Sequence, residues 1–294
     1  MFVAAIERAS QFTRPIHSVM RIWGSSDIIP GAATLFMVNA EGWALTCAHV
    51  ARQLMAGNQI AEKYRDFTGE LAQIPTGKKK RKEMRALERK YDYKKGTPVE
   101  LRNNFVNCGS GPLECEARIH SSVDLALLKF SHFTQLLCED FPVFAQHGSE
   151  LKQGKSLCRL GFPFPEFTNF EYDVDSDQVR WTETGRPDTP CFPIEGMVTR
   201  HLLGQDGFMF GFELSTPGLK GQSGGPAFDP EGRVWGMQSA TRHLDLDFDV
   251  DVELLRAGQK QRVHESAFLH VGHCIHVDIL KQFMRDHSVN FDEA

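Results

Sequence analysis

Three short segments of the chain bring together residue types that can activate a hydroxyl group. In chain order they are Trp43-Ala44-Leu45-Thr46-Cys47-Ala48-His49-Val50, Val123-Asp124-Leu125-Ala126-Leu127-Leu128 and Gly221-Gln222-Ser223-Gly224-Gly225-Pro226. A serine hydroxyl is a weak nucleophile until a base removes its proton. Its attack on a carbonyl builds negative charge on oxygen, which needs donors already in place. Gly221, two residues before Ser223, lets the backbone turn so that N–H groups face outward. Gly224 and Gly225 leave room for a substrate chain, and Pro226 opposes a helix start by restricting its predecessor. Ser223 is therefore expected on a tight loop between strands. His49 follows an apolar strand and is expected on a short turn, leaning into a cleft. Asp124 opens a strongly apolar strand, where a buried carboxylate costs free energy unless it has a partner. An imidazole N–H is such a partner, and the pairing would fix the tautomer of His49 and stabilise its imidazolium.

The elements that must position these residues read as strands. Short runs rich in Val, Ile, Phe and Thr alternate with Gly and Pro turns: SVMRIW, AATLFMV, WALTCAHV, ECEARIH, DLALLKF, SLCRLGF, GMVTRHL, FMFGFEL, RVWGMQS and AFLHVG. Such a series without intervening helices predicts an all-β protein. Residues 2–12 predict a short amphipathic helix with Phe2, Ile6 and Phe12 on one face, and Val277–Met284 predicts a closing helix. Residues 78–95 hold ten Lys or Arg against three acidic residues, with Met84, Leu87 and Tyr91 at helical spacing. This is a basic helical insertion, either a solvated helix packed on a loop or a docking surface for an acidic protein partner. Asp245, Asp247, Asp249, Asp251 and Glu253 alternate with apolar residues, as in a strand or hairpin with one charged face.

TCAHV, VDLALL and GQSGGP resemble the three signature segments of trypsin-like serine proteases, in the same order. The resemblance extends to Leu160-Gly161-Phe162-Pro163, Glu195-Gly196-Met197-Val198-Thr199 and Gly232-Arg233-Val234-Trp235-Gly236. It is nearest to the bacterial Deg/HtrA branch. It implies an all-β fold of two packed six-stranded Greek-key β-barrels, chymotrypsin-like, with the active site between them. The implied division is an N-terminal helix over 1–15, a first barrel over 16–135 with the helical insertion at about 57–105, and a second barrel over 136–294 with the C-terminal helix. It implies His49 as general base, Asp124 as orienting acid, Ser223 as nucleophile, and the N–H groups of Gly221 and Ser223 as the oxyanion hole. Pro217, six residues before the serine, would floor the primary specificity pocket. Met237, Gln238, Ser239 and Ala240 would wall it, with Gly236 at the turn. No carboxylate stands at that floor, so a small or medium apolar residue is expected before the scissile bond, unless the acidic run folds back into the opening. Two departures bear on activation. Val50 replaces the cysteine that follows the histidine in secreted members, and Gln222 replaces the aspartate that receives a freed N-terminus. Arg21-Ile22-Trp23-Gly24 is accordingly read as an ordinary strand, not a cleavage site. No PDZ-like domain is expected after the closing helix.

Composition narrows the alternatives. The 294 residues are 41 % apolar and 24 % charged, an ordinary globular balance, and the net charge of −5 makes no case for nucleic acid or an anionic membrane. No stretch approaches a transmembrane length, and Glu7 and Arg8 interrupt the N-terminal run that a secretion leader would need. A cytoplasmic location is expected. The seven cysteines are read as reduced thiols, and no Cys pair has zinc-site spacing. His270, Cys274 and His276, with His264 and His273 nearby, could share a strand face, but neither metal nor organic cofactor is expected. Two other readings remain open. One is an esterase with a nucleophile elbow; the other is a non-catalytic binding module on a protease fold.

Overall fold

A computed structural model describes residues 2–25, 27–75, 80–205, 207–256 and 258–294, so Lys78 and Lys79 of the basic run, and the side chain of His264, lie outside the described residues. The described residues form two large sheets, the first antiparallel and the second antiparallel but for two short parallel pairings, and four α-helices: α1 (Val3–Phe12), α2 (Ala48–Ala72), α3 (Lys80–Lys90) and α4 (Val277–Asp286). No described helix is long and apolar enough to cross a membrane.

The first sheet orders its strands Pro98–Phe105, Thr13–Ile22, Ile28–Met37, Trp43–Thr46, Ala126–Ser131 and Glu114–Ile119. Its central strands are apolar on both faces: Leu35, Phe36, Met37, Ala44, Leu45, Leu127 and Leu128 are fully buried. The sheet curls, and α2 lies across the opening between its two edge strands, packing on both. Gly57 permits this approach, because a Cβ there would stand 3.0 Å from the Leu101 carbonyl oxygen.

The second sheet runs Pro226–Phe228, Ser156–Arg159, Ile194–Leu203, Met209–Leu214, Gln259–His276 and Arg233–Arg256, to which the short strands Val143–Phe144 and Asp292–Glu293 add in parallel. Arg233–Arg256 pairs again with Pro226–Phe228, which closes six strands into a barrel. Closure leaves no free edge among those six. The expected all-β architecture of two six-stranded units therefore stands. α1 ties them together: Phe2 meets Phe228 of the barrel edge-on at 6.3 Å between ring centres, and Phe12 meets Phe36 of the first sheet at 6.4 Å.

The helical excursion differs from the expected span of about 57–105. It begins at Ala48, directly after the strand Trp43–Thr46, because Ala48, Val50 and Ala51 bury an apolar helical face against the core. Residues 98–105 are instead a strand of the first sheet, pairing with Ile16–Ile22. Between them, α2 and α3 share a small aromatic core of Phe67, Leu87 and Tyr93 with Trp23, Tyr64 and Tyr91 packed around it. N-terminal helix α1 ends at Phe12, and Thr13 starts the first strand. The acidic run lies on the outer part of Arg233–Arg256, where it pairs with Gln259–His276 in a long hairpin that carries exposed Leu246, Phe248 and Phe268.

Candidate active site

The loop Gly221–Gly225 leaves the second barrel and is held by the first sheet. Gly221 and Gly224 have φ of +101° and +91°. A Cβ at Gly221 would approach the Phe162 carbonyl oxygen to 2.5 Å, and one at Gly224 would approach the Thr34 carbonyl oxygen to 2.1 Å. Both positions therefore need glycine for conformation and for space. Thr34 Oγ1 donates to the Gly221 carbonyl at 2.7 Å, Thr34 N–H donates to the Ser223 carbonyl at 3.1 Å, and Thr46 Oγ1 donates to the Thr34 carbonyl at 2.7 Å. Gln222 is fully buried. Its Oε1 accepts from Leu219 N–H at 3.0 Å, and its Nε2 donates to the Phe192 carbonyl at 2.9 Å.

Within this loop the N–H groups of Gln222, Gly224 and Gly225 donate to Leu219, Gln238 and Gln222 carbonyls. Those of Gly221 and Ser223 donate to no acceptor among the described residues. Unbonded backbone donors in a folded interior are rare. Two of them, one on a serine and one two residues before it, could receive an anionic oxygen.

His49 sits in the first turn of α2, not on the short turn expected from sequence. The helix start serves the pairing with Asp124 directly. The His49 N–H donates to Asp124 Oδ1 at 2.9 Å, and the His49 ring meets Asp124 Oδ2 through Nδ1 at 2.8 Å. Ser239 Oγ donates to the same Oδ2 at 2.7 Å. An ionised carboxylate only accepts, so Nδ1 carries the proton and Nε2 is left basic. Burial pushes the Asp124 carboxyl up, but the hydrogen bonds from the His49 ring, Ser239 and the His49 backbone outweigh it and hold the group below the usual carboxylate range. The N-terminus of α2 favours the same negative charge. Ser223 Oγ donates to the Ser239 carbonyl at 3.2 Å, and no hydrogen bond joins it to His49. Such bonds are often open without substrate.

Hydrogen bonds run from His49 to Asp124, from Ser239 to Asp124 and from Ser223 to the Ser239 carbonyl, and Gly221 lies in the same loop as Ser223. Ser239 was expected only as a pocket wall; its hydroxyl is a third anchor on Asp124. The Cys47, His49 and Asp124 donor atoms also lie within 4.8 Å of one another. The Cys47 thiol is fully buried, and burial followed by the Asp124 charge pushes it well up; it donates to the Gln238 carbonyl at 3.3 Å. A thiol held protonated is a poor metal ligand, and the cluster is accounted for by the Asp124–His49 bond. The histidines near the C-terminus do not converge: His270 pairs with His243, and His276 caps α4 through Asp278 N–H.

Beside Ser223 lies a pocket of about 390 Å³. Pro217, Gln238, Ser239 and Ala240 line it as expected from the sequence, but Gly236 and Met237 do not. Met237 is fully buried in the core, and Gly236 is pressed against Ile275 and Phe212, where a Cβ would stand 2.4 Å from the Ile275 carbonyl oxygen. As neighbours on a strand the two face opposite sides, Gly236 toward Phe212 of the barrel core and Met237 into the core shared with the first sheet, and the pocket wall runs instead from Gln238 to Thr241. No residue of the acidic run lines the pocket, whereas Lys220, His243 and His270 do. Sequence reading missed Arg159, fully buried behind Gln238; its signal was a cation inside the apolar strand SLCRLGF. On the other side of Ser223, a groove of about 410 Å³ between α2 and the first sheet is lined by Ile29, Val50, Leu54, Pro163 and Lys220.

The anchoring of Asp124 carries a pH signature. A carboxylate whose folded value is depressed adds stability above its unfolded value of about 3.9, and that stability is lost as pH falls through the folded value. Ser239→Ala should therefore cost about 2 kcal/mol at pH 7, the range for a hydrogen bond to a charged group. The difference from the parent protein should shrink once the pH falls below about 4. Urea unfolding of both proteins at pH 7 and pH 3 checks this; a difference that is constant with pH would contradict it.

No curated protein matches the sequence. Among solved structures, 462 chains match. One of them, an HtrA-type protease solved with a tripeptide, aligns with 97 % of this chain at 11 % identity and a TM-score of 0.47. The chain spans 62 % of that protease's length. The sequence matches the trypsin-like peptidase domain over residues 33–237, a stretch that contains His49, Asp124 and Ser223. With most of its length inside that match, including the loop that leaves two backbone donors unbonded, the chain belongs to the trypsin-like peptidase domain family.

Proposed function

We propose that the protein is a serine endopeptidase that hydrolyses peptide bonds through an acyl-enzyme. The observation that carries this reading is the pair of unbonded N–H groups at Gly221 and Ser223, set beside a hydrogen-bonded Asp124–His49 couple. Ser223 Oγ turns from the Ser239 carbonyl toward His49 Nε2 and attacks the substrate carbonyl carbon. His49 takes the hydroxyl proton, and Asp124 stabilises the imidazolium that forms. The carbonyl oxygen gains negative charge where the two N–H groups await it. Collapse expels the amine, protonated by His49. Water, activated by the same imidazole, then releases the acid and restores Ser223. The reaction needs no metal or organic cofactor.

Residues after Ser223 lead into the strand Pro226–Phe228 instead of a helix, which argues against the nucleophile elbow of an esterase. Activation without chain cleavage belongs to the same proposal. Arg21 lies within the strand Thr13–Ile22, paired with Glu100 at 3.2 Å and Asp177 at 3.1 Å, and both ends of the Gln222 amide are already bonded. A reducing cytoplasmic setting is supported by the seven unpaired cysteines. A fluorophosphonate should label the uncut chain at Ser223, as read by intact mass and peptide mapping. Ser223→Ala should remove the label, and His49→Ala should slow labelling by at least about a thousandfold. Labelling that survives Ser223→Ala would overturn the nucleophile, and a folded protein that never labels would favour a binding module.

The basic helix α3 is proposed as a docking element for an acidic protein. Its Lys82, Arg85 and Arg89 are exposed, while Leu87 fastens the helix to α2. Exchanging these three cations for Gln should slow cleavage of an acidic protein substrate at low salt and spare a short neutral peptide. The difference should fade near 0.5 M salt, where the screening length is about 4 Å. Equal loss on both substrates would contradict docking.

A further inference from the structure

Behind the pocket beside Ser223 lies a buried cation with no counter-ion among the described residues. Arg159 ends the strand Ser156–Arg159 and is fully buried. Its Nη1 donates to Gln238 Oε1 at 2.7 Å. Its Nη2 donates to the Thr216 carbonyl at 2.9 Å, to Thr216 Oγ1 at 2.6 Å and to the Pro217 carbonyl at 3.1 Å. Its Nε has no partner. Each of these partners is neutral. The buried carboxylates of the same barrel are committed elsewhere: Glu213 to Arg200 and Arg242, and Asp229 to Arg233, Lys155 and the Trp235 indole. A guanidinium taken out of water without an anion costs several kcal/mol.

The fold makes room for this arrangement. A Cβ at Gly272 would stand 2.0 Å from Arg159 Nη1, and one at Gly218 would stand 2.2 Å from Gln238 Nε2. The two glycines therefore accommodate the Arg159–Gln238 pair. Because Arg159 fixes the oxygen of the Gln238 amide, the amide nitrogen is turned toward the pocket, where one of its two N–H groups reaches the Ala240 carbonyl at 2.7 Å. At the mouth, the His243 and His270 rings share a hydrogen bond through their Nδ1 atoms. The accepting ring must then carry its proton on Nε2, which leaves an N–H donor there. Lys220 completes the lining, and no Asp or Glu contributes to it.

We propose that the primary specificity pocket takes an acidic side chain, glutamate or aspartate, immediately before the scissile bond. Gln238, Lys220 and the His243–His270 pair supply the donors. Arg159 is the positioning residue that orients Gln238 and provides the buried counter-charge. This replaces the small or medium apolar residue expected from Pro217. The inference rests on the serine peptidase reading above.

The test uses two peptidyl diphenyl phosphonates that differ only in Glu or Gln at the position next to phosphorus. Ser223 Oγ attacks phosphorus, its proton passes to His49, and one phenoxide leaves. Glutamate and glutamine match in shape, so the ratio of labelling rates isolates the charge. The Glu reagent should react faster by about tenfold or more, as for a buried ion pair completed by its missing partner. Arg159→Met should bring the ratio toward one, and Arg159→Lys, which keeps the charge, should restore much of it. His243→Ala should also lower the ratio, which keeps the test decisive if both Arg159 variants misfold. A wild-type ratio at or below one overturns the inference, as does an unchanged ratio in Arg159→Met. A protein labelled by a simple fluorophosphonate but by neither peptide reagent also overturns it. Failure of the fluorophosphonate itself would instead overturn the serine peptidase reading.

Discussion

Two backbone N–H groups left without acceptors are the feature on which the rest of this molecule depends. The loop leaves the N–H groups of Gly221 and Ser223 without acceptors among the described residues and forgoes hydrogen bonds it could otherwise make. It holds that conformation because everything around it is satisfied. Thr34 ties down the carbonyls of Gly221 and Ser223, Thr46 in turn holds the Thr34 carbonyl, the Gln222 amide is bonded at both ends, and Gly221 and Gly224 adopt a backbone that other residues would strain. A donor pair fixed in advance needs no reorganisation when charge appears.

The same hydrogen bonds also set how the two sheets sit together. Thr34 belongs to the first sheet and holds a loop of the second barrel, and Thr46 of the neighbouring strand holds Thr34. Ser239 belongs to the second barrel and holds Asp124, which precedes the first-sheet strand Ala126–Ser131. Stability and site geometry are therefore coupled. A change that separates the sheets would open the Asp124 anchor and the Ser223 loop together. The apolar bridge of α1, with Phe2 on one unit and Phe12 on the other, supports this coupling from the opposite side of the core.

Local chemistry was legible in the sequence because it is written in short segments. GQSGGP requires a turn with glycine geometry, and alternating or continuous apolar runs require strands, so the loop and the sheets could be read without tertiary information. Three features were not legible, each for a tertiary reason. The start of α2 at Ala48 depends on which face of Ala48, Val50 and Ala51 meets the core. The withdrawal of Gly236 and Met237 from the pocket, one to each face of the strand, depends on the register with Pro226 and Ala227. The buried charge of Arg159 depends on three segments far apart in the chain, and only the folded barrel brings Thr216-Pro217, Gln238 and Gly272 around it. A lone arginine in an apolar strand marks a position worth attention, but sequence does not say what it faces.

The most direct measurement of the central claim is a crystal structure of the protein with a peptide boronic acid, whose tetrahedral boronate mimics the charged intermediate. The account predicts boron bonded to Ser223 Oγ and one boronate oxygen within about 3.2 Å of both the Gly221 and Ser223 nitrogens. It also predicts His49 bridging from Asp124 to a second boronate oxygen. A boronate bonded to Ser223 whose oxygens reach neither nitrogen, or a loop in which those two N–H groups have turned to protein acceptors, would contradict it.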